Sequence, residues 1–173
     1  ADSFSFPMRI AAEPALAYLR YWDRRAAQRP NVMIANSGFI AKKIHTYYGR
    51  EARVIYPPVD CEFFRPEAIT PPKRYFLAVG RMMRYKRFDL IVSAFNTLRI
   101  PLLIVGIGPE FRRLQELNTS PKTVFFGFAK GERELRDFYR GAKALIFPQT
   151  EDFGLVAAEA IGATPNLEFR LAN

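Results

Sequence analysis

The segment Glu151-Asp-Phe-Gly-Leu-Val-Ala-Ala-Glu159 sets two carboxylates eight residues apart around a glycine. Gly154 and Leu155 read as the opening of a helix, with Glu151 ahead of it and Glu159 inside it. A helix rises about 1.5 Å per residue, so the two carboxylates stand at most about 12 Å apart. So placed, they can accept hydrogen bonds from hydroxyl groups at the two ends of an elongated ligand. Between them, the N–H groups of Gly154 and Leu155 lack acceptors within the helix and sit at its positive end, where an anion is favoured. Taken singly, Glu151 reads equally as a carboxylate drawn to a helix start, and Glu159 as part of a solvated face.

A second chemical segment is Gly80-Arg81-Met-Met-Arg84-Tyr-Lys86-Arg87, with four cations in its last seven residues. Glycine lets a backbone approach a ligand closely, and Arg and Lys hold phosphate oxygens. A solvated basic turn is the plain alternative. Gly106-Ile-Gly108-Pro109 invites a dinucleotide reading but fails it, because Phe111 stands where the third glycine belongs and Pro109 lacks an N–H. These glycines read as a tight turn, which argues against a nicotinamide oxidoreductase. In Gly127-Phe128-Ala129-Lys130-Gly131 an aromatic ring could border a nucleobase, or the segment could be a structural turn. Hydrolysis by Glu151 and Glu159 is disfavoured, since glycosidase carboxylates flank one bond at about 5–10 Å.

These four segments follow four apolar runs: Tyr75–Val79, Leu102–Val105, Thr123–Phe126 and Ala144–Phe147. Helical patterns separate them, one carrying Phe88, Ile91, Phe95 and Leu98 on a face, another Leu135, Phe138, Tyr139 and Ala142. Strands apolar throughout and alternating with helices imply a parallel sheet covered on both faces. This predicts a Rossmann-like α/β half, whose ligands sit beyond the carboxyl ends of the strands. Upstream, a helix is expected over Pro14–Gln28, with Pro14 at its first turn. A strand over Val32–Ala35, an Asn36-Ser37 cap, a helix to Gly49 and a strand over Arg53–Tyr56 follow. Pro57 to Pro72 reads as a linker.

The net charge of +9 is uneven: residues 61–130 carry twelve Lys/Arg against five Asp/Glu, whereas residues 131–173 carry five against seven. A basic middle suggests an anionic partner such as phosphate, nucleotide, nucleic acid or acidic membrane, with a solvated basic surface as the alternative. Cys61 and His45 are the only residues of their types, which excludes a disulfide framework and leaves no cysteine- or histidine-rich metal site. Neither is expected to carry function. No apolar run reaches the roughly 20 residues of a membrane span.

Together, Glu151-x7-Glu159 with Phe153-Gly154-Leu155 inside and Ala160 after resembles the donor-site motif of retaining glycosyltransferases of family 4 (group 1), which have the GT-B fold. Val79-Gly80-Arg81 through Lys86 and Asp89 resembles that family's diphosphate loop. Gly106-x-Gly108-Pro109, Phe126-Gly127 and Phe147-Pro148 also match. Asn36-Ser37 and Val54-Ile-Tyr-Pro-Pro-Val-Asp60 resemble the end of its acceptor domain and its crossover linker. Among subgroups the chain looks closest to mannosyltransferases of polysaccharide assembly.

The resemblance implies a metal-independent transfer of a sugar from a nucleotide donor to a hydroxyl of a glycan or lipid-linked acceptor, with retained configuration. Arg81 and Lys86 would bind and stabilise the leaving diphosphate, and Gly80 would admit it. Glu151 would hold sugar hydroxyls, with Phe153, Gly154 and Leu155 presenting N–H groups. Glu159 would hold the ribose, and Phe128 would border the base. No separate cofactor is expected, and GDP-sugars are expected over UDP-sugars. The implied organisation is the end of an acceptor-side domain over 1–56, a linker over 57–72, and a donor-nucleotide domain over 73–173. That domain departs from the family pattern after Pro165 and reads as truncated. The chain is therefore expected to be a fragment that binds nucleotide but does not transfer sugar alone. A cytoplasmic location without nucleic acid is expected. The first helix, with Tyr18, Tyr21, Trp22 and its arginines, is expected to pack within the protein, with contact to an anionic membrane as the alternative. A non-catalytic nucleotide- or nucleic-acid-binding module is the alternative to the enzyme.

Overall fold

The computed structural model describes residues 6–67 and 74–164. The chain divides into two compact units, the first ending at Pro57 and the second beginning at Pro58.

In the first unit, helix α1 (Phe6–Ala27) is followed by strand β1 (Ile34–Ala35), helix α2 (Gly38–Tyr48) and strand β2 (Arg53–Val54). The strands pair in parallel, Ile34 with Arg53 and Ala35 with Val54. Ser37 caps α2 as expected, its hydroxyl accepting the Ile40 N–H at 3.1 Å. Such a cap contributes about 1 kcal/mol. Gly49 ends the helix in the left-handed region at φ 65°, a conformation that carries no Cβ penalty in glycine. Arg50 gathers carbonyls at and just beyond the end of α1, donating to Ala27 at 2.9 Å and to Pro30 at 2.6 Å. Two expectations change here. Helix α1 starts eight residues before Pro14 and runs through it. A proline inside a helix costs about 3 kcal/mol, and the strong helix formers on either side, Ala11, Ala12, Ala15 and Leu16, offset part of it. Tyr18, Tyr21 and Trp22 are also more than half exposed, so they do not make the packing expected of this helix among the described residues.

The second unit is a four-stranded parallel sheet: β3 (Tyr75–Val79), β4 (Leu102–Val105), β5 (Thr123–Gly127) and β6 (Ala142–Leu145), in the order β5-β4-β3-β6. The helices between and after them are α3 (Phe88–Leu98), α4 (Phe111–Leu117), α5 (Glu132–Gly141) and α6 (Leu155–Ala163). Side chains alternate across each strand. Leu77, Val79 and Val105 enter one core with Tyr139, Phe147, Ala157 and Ala160. Ala78, Leu102 and Ile104 enter the other with Phe88, Ile91, Phe95 and Leu114. Helices thus lie on both faces, α5 and α6 on one side and α3 and α4 on the other, which is why the central strands read as continuous apolar runs, while the edge strand β5 leaves Val124 and Phe126 exposed.

Local differences from the sequence reading have simple causes. Leu98 is 56% exposed, and Val92 takes its expected place in the core. Strand β6 begins at Ala142, two residues early, because α5 turns straight into it. Gly141 permits this, since a Cβ there would lie 2.8 Å from the Tyr75 hydroxyl. The described part of the stretch read as a linker is no free connector. Phe64 is buried against Tyr139, the Arg136 guanidinium lies over the Phe63 ring, and Arg140 pairs with Glu67 and donates to the Arg65 carbonyl. From Pro58 to Glu67 the chain is a strap on α5 and α6. The segments 68–73 and 165–173, including the divergent tail, lie outside the described residues.

Candidate functional site

The strand order creates the site. The chain steps outward from β3 to β4 and β5, then returns to place β6 on the other side of β3. The connections leaving β3 and β6 therefore diverge, and a crevice opens between their carboxyl ends. The basic segment follows β3, and the segment with Glu151 follows β6.

Across this crevice Lys86 meets Glu151, Nζ to Oε1, at 2.9 Å. Both side chains are largely withdrawn from solvent, at 15% and 27% exposure, so the pair is stronger than a surface ion pair. A single-turn 3-10 helix, Arg84–Lys86, delivers the lysine, and Arg87 closes that turn at φ 54°. Arg87 is itself paired to Asp89 at 3.1 Å. Burial raises the Asp89 carboxyl, but the hydrogen bond and charge of Arg87 with the backbone N–H groups at the start of α3 hold it, on balance, below the ordinary range. Gln149, buried and two residues before Glu151, donates to the same Oε1 at 2.9 Å. Both contacts converge on one oxygen, so Oε2 keeps acceptor capacity for a ligand hydroxyl. Immediately beyond, Gly154 enters α6 at φ 84°, so the amino end of that helix follows directly on the segment that bears Glu151.

Arg81 faces a cavity of about 450 Å³, lined also by Gly80, Gly106, Ile107, Phe128 and Leu135. Arg81 makes no ion pair among the described residues, so its guanidinium is available to an anion. Phe128 is 74% exposed at the same cavity. Gly80 joins the two regions: a Cβ at that position would lie 3.6 Å from the Lys86 Nζ.

The Gly106–Gly108 turn serves the basic segment by contact. A Cβ on Gly106 would stand 2.0 Å from the Gly80 carbonyl oxygen, and one on Gly108 would stand 2.5 Å from that of Met82. Backbone bonds lock the two segments, Met82 N–H to Ile107 at 3.0 Å and Glu110 N–H to Met82 at 3.1 Å. Met82 is fully buried beneath them, so the basic segment is anchored at its centre while Arg81 and Arg84 stay outside.

Glu159 does not join the Lys86–Glu151 cluster. Its Oε2 accepts a hydrogen bond from the Tyr139 hydroxyl at 2.9 Å. Burial pushes its carboxyl above the ordinary range, the Tyr139 bond pulls it back, and the charge of Glu132 raises it further. Burial and the neighbouring Glu159 push the Tyr139 hydroxyl far above its usual value, so it remains a neutral donor. In the sequence Tyr139 reads as an apolar helix residue, and Gln149 draws no assignment. Gln149 had a signal, since positions two apart in an extended segment share a face. The role of the Tyr139 hydroxyl had none. Among the described residues no group of three or more His, Cys, Asp or Glu could hold a metal ion, and no helix is long and apolar enough to cross a membrane.

Residues 60–164 match the family described as Glycosyl transferases group 1. Mannosylfructose-phosphate synthase of Agrobacterium fabrum is 26% identical, over 95% of this chain and 41% of its own length. D-inositol 3-phosphate glycosyltransferase of Streptomyces bingchenggensis is 29% identical, over 74% of this chain and 35% of its own length. The chain thus spans well under half of either relative. Among solved structures, a mutant of S. aureus TarM in complex with Fondaparinux, alpha-GlcNAc-glycerol and UDP superposes with a TM-score of 0.67 at 15% identity, covering 83% of this chain and 30% of that one. The pneumococcal O-GlcNAc transferase GtfA in complex with UDP and GlcNAc gives 0.62 at 18% identity, over 86% of this chain and 32% of that one. At these identities the likeness is one of fold.

Proposed function

We infer a function from one premise: the chain belongs to the Glycosyl transferases group 1 family, whose pattern it matches from residue 60 to residue 164. In this reading the second unit is the donor half of a nucleotide-sugar glycosyltransferase, and the first unit is the end of the acceptor-side domain. The whole protein transfers a sugar with retained configuration and without a metal. The observation that carries the reading is the Lys86–Glu151 contact at the point where the strand order reverses. It joins the cation for a leaving group to the carboxylate for a sugar.

The division of labour follows from the charges. Bond cleavage at the sugar leaves a diphosphate that gains negative charge. Lys86, held by Glu151, and the N–H groups opening α6 are in place before that charge develops, so they stabilise the transition state with little reorganisation, and Arg81 adds its charge from the cavity side. Glu151 accepts from a sugar hydroxyl through Oε2, while Lys86 and Gln149 hold its other oxygen. Glu159 holds the ribose and Phe128 covers the base. The relatives and neighbours name mannosyl, inositol phosphate and GlcNAc chemistry and UDP. A GDP-sugar donor and a glycan or lipid-linked acceptor are our assignment for this chain. A thermal-shift panel of GDP, UDP, ADP and their sugar conjugates, in EDTA, tests it. The reading expects stabilisation by a nucleoside diphosphate, largest for GDP. A flat response to every diphosphate overturns the donor-site assignment, and a larger response to UDP overturns the base.

A further inference from the structure

Helix α5 carries Glu132, Leu135 and Tyr139 at spacings of three and four, so they share one face. Leu135 on that face lines the cavity that holds Arg81 and Phe128. Tyr139 on that face is completely buried, with its ring edge-on to Phe64 at 6.0 Å. Its ring belongs to the core that also contains Phe64, Leu145 and Ala160. Its one polar atom emerges at Glu159. A buried tyrosine hydroxyl needs a partner, and this one takes a charged acceptor.

We infer that Tyr139 is the positioning residue for Glu159: it holds Oε2 and so aims the carboxylate at the two hydroxyls of a ribose beside the cavity. This rests on the reading of Glu159 as the ribose-holding residue. A carboxylate offers about four acceptor sites, so one hydrogen bond to Tyr139 leaves enough for a vicinal diol. The hydroxyl has a second effect. Glu159 stands against buried surface and faces Glu132 across from α5, and both favour its protonated form; Tyr139 is the group on α5 that opposes them. A protonated carboxyl would spend one oxygen as a donor and grip a diol less well. Tyr139 thereby favours the charged, acceptor form of Glu159.

The test measures affinities of the chain for GDP and UDP and for their 2′-deoxy and 3′-deoxy counterparts, across pH, in wild type, Tyr139→Phe and Glu159→Gln. The phenylalanine keeps the ring in the core and removes one oxygen. Loss of a hydrogen bond to a charged group predicts about a tenfold weakening toward the ribonucleotides. Affinity for the deoxy compounds, which keep one hydroxyl each, falls by less than affinity for the ribonucleotides, as expected of a residue that acts through the diol. On acidification, ribonucleotide affinity fades at a higher pH in Tyr139→Phe than in wild type, because Glu159 loses the donor that favours its charged form. An equal ribose-to-deoxyribose preference and an equal pH midpoint in wild type and Tyr139→Phe overturn the inference. If Glu159→Gln keeps the ribose preference, the ribose reading itself fails and takes the inference with it. Should Tyr139→Phe not fold, the wild-type hydroxyl proton of Tyr139 is followed by NMR. It is expected to exchange slowly and to shift when GDP or UDP binds. A proton that exchanges freely and ignores both nucleotides overturns the inference.

Discussion

Gly106→Ala is the substitution for which the structure predicts most. Gly106 has φ 138°, a region closed to side-chain-bearing residues, and its added Cβ would sit 2.0 Å from the Gly80 carbonyl oxygen and 2.9 Å from the Gly80 carbonyl carbon. Both neighbours are backbone, so no rotamer change relieves the contact, and the Gly80–Arg81 segment must move by more than an ångström. Backbone strain costs about 1–3 kcal/mol and forced repacking about the same. The loss of about 2–6 kcal/mol lowers the melting temperature by about 10 °C or more in a unit of this size. Gly127→Ala is the matched control. It shares a positive φ, 86°, but its Cβ meets nothing within 4 Å, so it bears strain alone. Thermal melts of both variants, followed by titration with GDP and UDP, read the difference. Gly106→Ala is expected to lose at least tenfold in nucleotide affinity beyond any change in Gly127→Ala. Equal melting temperatures and equal affinities would refute the claim that these glycines exist to seat the basic segment.

Three further outcomes follow from the geometry. Gln149→Ala frees Glu151 from one of its two donors and is expected to weaken nucleotide-sugar binding about threefold to tenfold while leaving the bare nucleoside diphosphate nearly unaffected, as measured by calorimetry. Ser37→Ala removes the cap of α2 and is expected to destabilise the first unit by about 1 kcal/mol in urea unfolding, with no effect on nucleotide affinity. Burial raises the hydroxyls of Tyr139 and Tyr75 above their ordinary value of 10.0. Above that pH the unfolded chain releases protons that the folded chain keeps, so stability declines as pH rises. Urea unfolding at about pH 8 and about pH 11 is expected to show that decline in wild type, and a smaller one in Tyr139→Phe.

The four strands of the second unit were legible because helices lie on both faces of the sheet, which makes the strands largely apolar, and a glycine stands at the carboxyl end of β3, β4 and β5. The site loops were legible for the same reason, since a parallel sheet puts its functional loops at one end. The return of β6 to the far side of β3 was not legible, because strand order depends on which helix covers which face. That order is what brings Lys86 to Glu151 across 65 residues of sequence. Glu151 and Lys86 were visible as chemistry, whereas their direct contact was not. Pro14 misled because a local rule, proline at a helix start, gave way to the strong helix formers around it. Phe63 and Phe64 were hidden in a stretch punctuated by prolines, where apolar residues have no period to betray a strap. Tyr139 was hidden by its ring: its apolar body satisfied the helical pattern, and nothing in sequence spacing says where a hydroxyl emerges.

The central claim is that the segments after β3 and β6 form one site for a nucleoside diphosphate ester. Calorimetric titration of GDP in EDTA into wild type and into the Arg81→Ala, Lys86→Ala double variant tests it most directly. The account predicts metal-free binding by the wild type and a loss of at least about a hundredfold in the double variant, since each charge-assisted contact contributes about 1.5–3 kcal/mol. Binding that survives removal of both cations unchanged would contradict it.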